Sequence, residues 1–149
     1  MFDPFMLLGL KKQYDLDMEF LEKAYFAAQK ETHPDRFLNS SSEEKAEASK
    51  RSADINRAYF ILKDPLRRAE FLLKETNREL FSHDPLFLEE LMHWKEQVAA
   101  QEDIRDDLFR TQKNLFNTLE TSFKQKEYGE AEKVLYQLTY VHKFLKEID

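Results

Sequence analysis

His33, Pro34 and Asp35 place an imidazole, a ring that fixes one φ, and a carboxylate in consecutive positions. Proline biases the residue before it away from the αR region, so a preceding helix stops there and both polar side chains stand on a stiffened turn. Such a tip is suited to docking on a basic partner group, where an Arg would pair with Asp35. Taken alone, the tripeptide is also what an ordinary helix-ending turn looks like. A second chemistry is metal-assisted phosphoester hydrolysis, because His33, then His83-Asp84, then a later Asp or Glu superficially follow an H…HD…D order. The spacing argues against it: Asp84 precedes Pro85 and is better explained as a helix N-cap, whereas metal ligands must converge from packed helices. His83 and His142 read as surface residues.

Composition removes other chemistries. Two glycines in 149 residues cannot supply the phosphate-cradling loops of nucleotide- or dinucleotide-binding motifs. Without Cys there is no disulfide, thiolate nucleophile or thiolate metal ligand, and nothing points to an oxidising compartment. The longest apolar run, Pro4 to Leu10, is too short to span a bilayer and lacks a basic start, so the expected compartment is the cytoplasm and no membrane contact is expected. Residues 1–76 carry 13 Lys+Arg against 14 Asp+Glu, while residues 77–149 carry 10 against 15, which argues against nucleic-acid binding. The 13 Phe give a short helical chain enough bulk for a workable core.

The elements that must position these residues follow from punctuation and period. Pro4, Pro65 and Pro85 each follow an Asp, placing an N-cap acceptor before a residue with preset φ, so Asp3, Asp64 and Asp84 should open helices at 4, 65 and 85. Leu21, Ala24, Tyr25 and Ala28 keep helical spacing from Met18 to Thr32, with Asp17 as N-cap. Ser41 and Glu44 have capping-box spacing, and Ala48, Ser52, Ile55, Tyr59 and Leu62 mark one face of a second long helix. A loop of about ten residues should join these two as an antiparallel pair, flanked by short helices from Pro4 and from Pro65 to about Glu75. The second half reads as helices from Pro85 to about Ala100, about Asp103 to Lys126, and Glu130 to Glu147, with Gly129 as the stop between the last two. The expected architecture is therefore all-α: an N-terminal domain over 1–76, a linker over 77–84, and an antiparallel three-helix bundle over 85–149. The bundle core would use Phe87, Leu91, Trp94 and Val98, then Ile104, Leu108, Leu115 and Leu119, then Ala131, Leu135, Leu138, Val141 and Leu145.

Two further constellations lie in the bundle. Leu88, Met92 and Glu96 step by four beside the core face of the helix from Pro85, an apolar strip ending in a charge that suits helix-face docking; packing against another element would use the same spacing. Tyr136, Tyr140 and Phe144 form an aromatic stripe on the last helix, a pattern that more often belongs to a core.

The order of motifs carries a resemblance. A Phe-Leu-Leu-Gly-Leu-like opening, His33-Pro34-Asp35-Arg36-Phe37, Ile55-Asn56-Arg57-Ala58 and Asp64-Pro65-Leu66-Arg67-Arg68-Ala69-Glu70 together resemble J-domains, and more closely the HscB family of co-chaperones for iron–sulfur assembly. The resemblance covers nearly the whole chain. It implies a J-domain that docks on a DnaK/HscA-type heat-shock ATPase and stimulates its ATP hydrolysis, with His33, Pro34 and Asp35 as the contact. Lys23, Lys30 and Arg36 would supply the positive surface that faces an acidic partner, although single rim charges often tune association rate alone. It also implies that Leu88, Met92 and Glu96 match the family's surface for the iron–sulfur scaffold protein IscU, with Tyr140 aligned to an aromatic of the same patch. Glu89 and His93, where family members carry further contact residues, are not carried over. Thr32 stands where Tyr commonly precedes the motif, and the helix before it is thinly basic; both departures bear on affinity.

The resulting expectation is an adaptor with no catalytic residue, no metal and no cofactor of its own, one arm on the chaperone and one on IscU, so that tethering raises the client's effective concentration. The alternatives are a J-domain adaptor for a different client and an all-helical metal-dependent phosphohydrolase.

Overall fold

Residues 2–76 and 84–148 are described in a computed structural model of the chain, and no strand occurs among them. The chain divides into two compact units, Met1–Leu72 and Leu73–Asp149. Apart from Asp84, the expected linker lies outside the described residues.

The first unit contains α1 (Pro4–Leu7), α2 (Met18–Thr32), a 3-10 turn (Pro34–Phe37), α3 (Ser42–Lys63) and all but the last two residues of α4 (Pro65–Lys74). Each helix starts where a short polar side chain satisfies the free N–H groups of its first turn. Asp3 accepts from Phe5 and Met6, Asp17 from Glu19 and Phe20, Ser41 from Glu44, and Asp64 from Leu66. The antiparallel pair α2 and α3 closes over a core of Phe5, Leu8, Leu21, Ile55, Ala58 and Leu62.

Above that core the pair is fastened by aromatic and amide contacts. Tyr25 stacks on Tyr59 with ring centroids 4.0 Å apart. The Tyr25 hydroxyl donates to Asn56 Oδ1 at 2.7 Å, and the Gln29 amide donates to both partners. Asn56 is therefore the polar pin of its motif, while Ile55 and Ala58 are its buried residues. Arg68 of the following motif is buried beneath the Tyr14 ring and donates to the Leu62 carbonyl at 2.6 Å. That bond satisfies a carbonyl in the last turn of α3 whose helical donor, the Leu66 N–H, is taken by Asp64.

The second unit contains α5 (Pro85–Ala99), α6 (Arg105–Lys124) and α7 (Tyr128–Glu147). Their shared core holds Phe87, Leu91, Trp94, Ile104, Leu108, Val141, Phe144 and Leu145, with Val98 and Leu115 only partly buried at its margin. Gly129 does not separate the last two helices: it lies in the first turn of α7, and the break comes earlier, at Gln125 to Glu127. Lys126 adopts the left-handed conformation at φ 58, the Lys126 N–H bonds the Phe123 carbonyl, and the Glu127 N–H bonds the Ser122 carbonyl. This pair of bonds is a Schellman closure, whose left-handed position a lysine occupies here in place of the expected glycine.

Candidate functional site: a capped turn and an exposed helix strip

Pro34 makes the first position of the 3-10 turn, and His33 before it is extended at φ −60 and ψ 136, so α2 ends at Thr32. Thr32 is buried, and its hydroxyl bonds the Ala28 and Gln29 carbonyls of the last turn. A small hydroxyl at this position thus closes the helix end on itself. The His33 ring is not a free donor on both sides, as a simple exposed turn would have it. Its Nδ1 accepts the Asp35 backbone N–H at 3.1 Å and lies 3.6 Å from the Asp35 carboxylate. The imidazole is the cap of the turn, which leaves the proton of the neutral ring on Nε2. The Arg36 N–H bonds the His33 carbonyl, and His33, Pro34, Asp35 and Arg36 are exposed while Phe37 at the end of the turn is half-buried.

Lys23 and Lys30 are exposed on α2, seven residues and hence two turns apart on one side of the helix. Between α2 and α3, beside the turn, an open groove of about 530 Å³ is lined by Phe26, Gln29, Lys30, His33, Pro34 and Ser52. Phe26 is not among the residues that the motifs mark for contact. The available signal was its place outside the Leu21, Ala24, Tyr25, Ala28 stripe, which marks a large ring on the solvent side of an amphipathic helix.

In the bundle, α5 buries Phe87, Leu91 and Trp94 and turns its second stripe outward. Met92 and Glu96 are exposed and Leu88 is half-buried, while Leu86, absent from the expected patch, is 78% exposed. The aromatic stripe of α7 splits: Phe144 is buried in the core, Tyr136 packs against the core, and Tyr140 reaches the surface. Tyr140 meets α5 at Phe87, with ring centroids 6.2 Å apart, and Tyr136 meets the same ring at 6.0 Å. This places Tyr140 against Phe87 near the start of α5, the residue before Leu88; Met92 and Glu96 lie further along that helix.

Asp84 is buried, and its carboxylate is committed to structure. One oxygen accepts the Phe87 N–H and the other accepts from the Gln137 side chain. It serves the start of α5 and ties it to α7, which removes the central carboxylate of the H…HD…D order; His83 lies outside the described residues. Exposed His142 is 3.4 Å from the Gln112 amide. No group of three or more His, Cys, Asp or Glu that would hold a metal ion occurs among the described residues, and none of their helices is long and apolar enough to cross a membrane.

A capped His-Pro-Asp turn between an antiparallel helical pair, followed by a three-helix bundle, is the architecture of a J-domain joined to a helical C-terminal domain. Family models agree segment by segment: residues 3–71 match the DnaJ domain and residues 83–149 match the HSCB C-terminal oligomerisation domain. The co-chaperone protein HscB homologue of Mannheimia succiniciproducens is 30% identical across 99% of this chain and 94% of its own length. That of Haemophilus ducreyi is 32% identical over the same shares. Among solved structures, the chaperone HscB from Vibrio cholerae is similar at 33% identity and a TM-score of 0.85, covering 98% of this chain and 94% of its own. The human co-chaperone HscB reaches a TM-score of 0.88 at 29% identity, with 98% and 80% covered. The chain belongs to the HscB family of J-domain co-chaperones.

Proposed function

We propose that this protein stimulates ATP hydrolysis by a DnaK/HscA-type chaperone through its J-domain and delivers an IscU-type iron–sulfur scaffold protein through its C-terminal bundle. The observation that carries the reading is the His33 cap. A turn that spends one imidazole nitrogen on its own backbone offers the other, with the Asp35 carboxylate and the Arg36 guanidinium, in a fixed arrangement that loses little entropy on docking. Lys23 and Lys30 extend this exposed face along α2 and attract an acidic partner surface. On the other unit, Leu88, Met92, Glu96 and Tyr140 form the scaffold contact: apolar surface left in water on a bundle that has filled its core without it. The protein performs no chemical step itself and acts in the cytoplasm.

Steady-state ATP hydrolysis by the chaperone, with and without scaffold, tests both arms. Added protein should accelerate hydrolysis, scaffold should increase the effect synergistically, and His33→Gln should lower stimulation at least about tenfold while the protein still melts cooperatively, with only the small loss expected for one exposed capping bond. His33-dependent stimulation that ignores the scaffold keeps the J-domain assignment and points to a different client. Full stimulation by a folded His33→Gln variant defeats the assignment of the turn.

A further inference from the structure

Phe26 is 57% exposed on the solvent side of α2. Its ring leans on Tyr25, with centroids 5.6 Å apart, and Tyr25 is itself held by the Tyr59 stack and by Asn56 and Gln29. The ring therefore stands on a rigid base. A Phe ring left in water forgoes the stabilisation its burial would bring, and a partner side chain covering it recovers that stabilisation on binding. Phe26 also shares its groove with Lys30, His33 and Pro34.

We propose that Phe26 is an apolar anchor for the chaperone, the groove receiving an aliphatic or aromatic side chain of the ATPase while Lys23 and Lys30 meet its acidic groups. This inference rests on the chaperone-docking reading above. The occupant follows from continuity, because the groove wall includes two residues of the docking turn and one of the basic side chains. A partner seated on the turn and on Lys30 must cover the space between them. The docking face is then mixed, basic at Lys23 and Lys30 and apolar at Phe26, and its apolar part is insensitive to salt whereas its charged part is screened. That chemistry suits a helix with few basic residues.

The test is a titration of chaperone ATPase stimulation by the full-length protein at low and high salt. Phe26→Ser should raise the half-stimulating concentration by roughly five- to tenfold, as expected for an exposed ring losing its cover on binding, with maximal stimulation retained. The same ratio should hold at both salt concentrations, and Phe26→Leu should recover most of the loss. Phe20→Ser is the control: Phe20 is 64% exposed on the same helix, about 9 Å toward its start, and does not line the groove. It should titrate like the unmodified protein. Melting curves check that each variant folds. Phe26→Ser matching the unmodified protein while His33→Gln loses stimulation overturns the anchor and leaves the docking reading standing. Equal losses from Phe20→Ser and Phe26→Ser overturn the groove as the site. Absence of stimulation by the unmodified protein overturns both.

Discussion

At the scale of single residues, polar side chains here work mainly on the backbone. His33 caps its own turn, Asp84 caps α5 and holds Gln137, and Arg68 closes the end of α3. Asp3 shows how such a role becomes a pH dependence. Burial works to raise its pKa, but the Met6 N–H, Lys12 at 3.2 Å and the Phe5 N–H outweigh it and hold the carboxyl below 3.8. A carboxyl whose folded pKa is depressed contributes stability that is present above its unfolded pKa and is lost as pH falls through the folded value. Asp3→Asn keeps a capping acceptor but removes the charge. Urea denaturation should find it less stable than the unmodified protein near pH 6, by up to about 1 kcal/mol, with the difference closing as pH falls through the folded pKa of Asp3.

At the scale of elements, the helix ends repeat one device with different residues. α1, α5 and α6 each finish in a Schellman closure, with Gly9, Gln101 and Lys126 at positive φ. Only the first has the glycine that makes this conformation free of strain. Lys126→Gly and Gln101→Gly should therefore each stabilise the protein by about 0.5–1 kcal/mol in chemical denaturation. The same fact explains why Gly129 misplaces the α6–α7 break, which falls at Gln125 to Glu127. The helix starts were legible because Asp-Pro and Ser-x-x-Glu are local signals with local causes, whereas a non-glycine stop carries no such signal.

At the scale of the whole molecule, two units of unequal charge carry the two proposed contacts. Residues 77–149 hold five more acids than bases, against one more in residues 1–76. Leu88→Ala and Met92→Ala should each weaken scaffold binding measurably by calorimetry, with Met92, the more exposed, leaving stability untouched and Leu88 lowering it slightly. Chaperone stimulation in the absence of scaffold should be unchanged in both. Loss of stimulation without loss of scaffold binding would contradict the division of labour between the units.

Much of the architecture is determined by short-range pattern. Capping pairs, Asp-Pro dipeptides and a 3.6-residue apolar period fix where α1 to α5 begin and which faces of α2, α3 and α5 turn inward, and the order of motifs marks the turn at His33. Tertiary structure alone decides which of several chemically similar residues remain available. Phe144 and Tyr140 lie four apart on one stripe, yet one fills the core and the other reaches the surface. Phe26 is left outside while neighbouring Tyr25 is stacked between helices. The physical reason is that period specifies the direction of a side chain, whereas its exposure depends on which partner helix occupies that direction, a contact between residues distant in sequence.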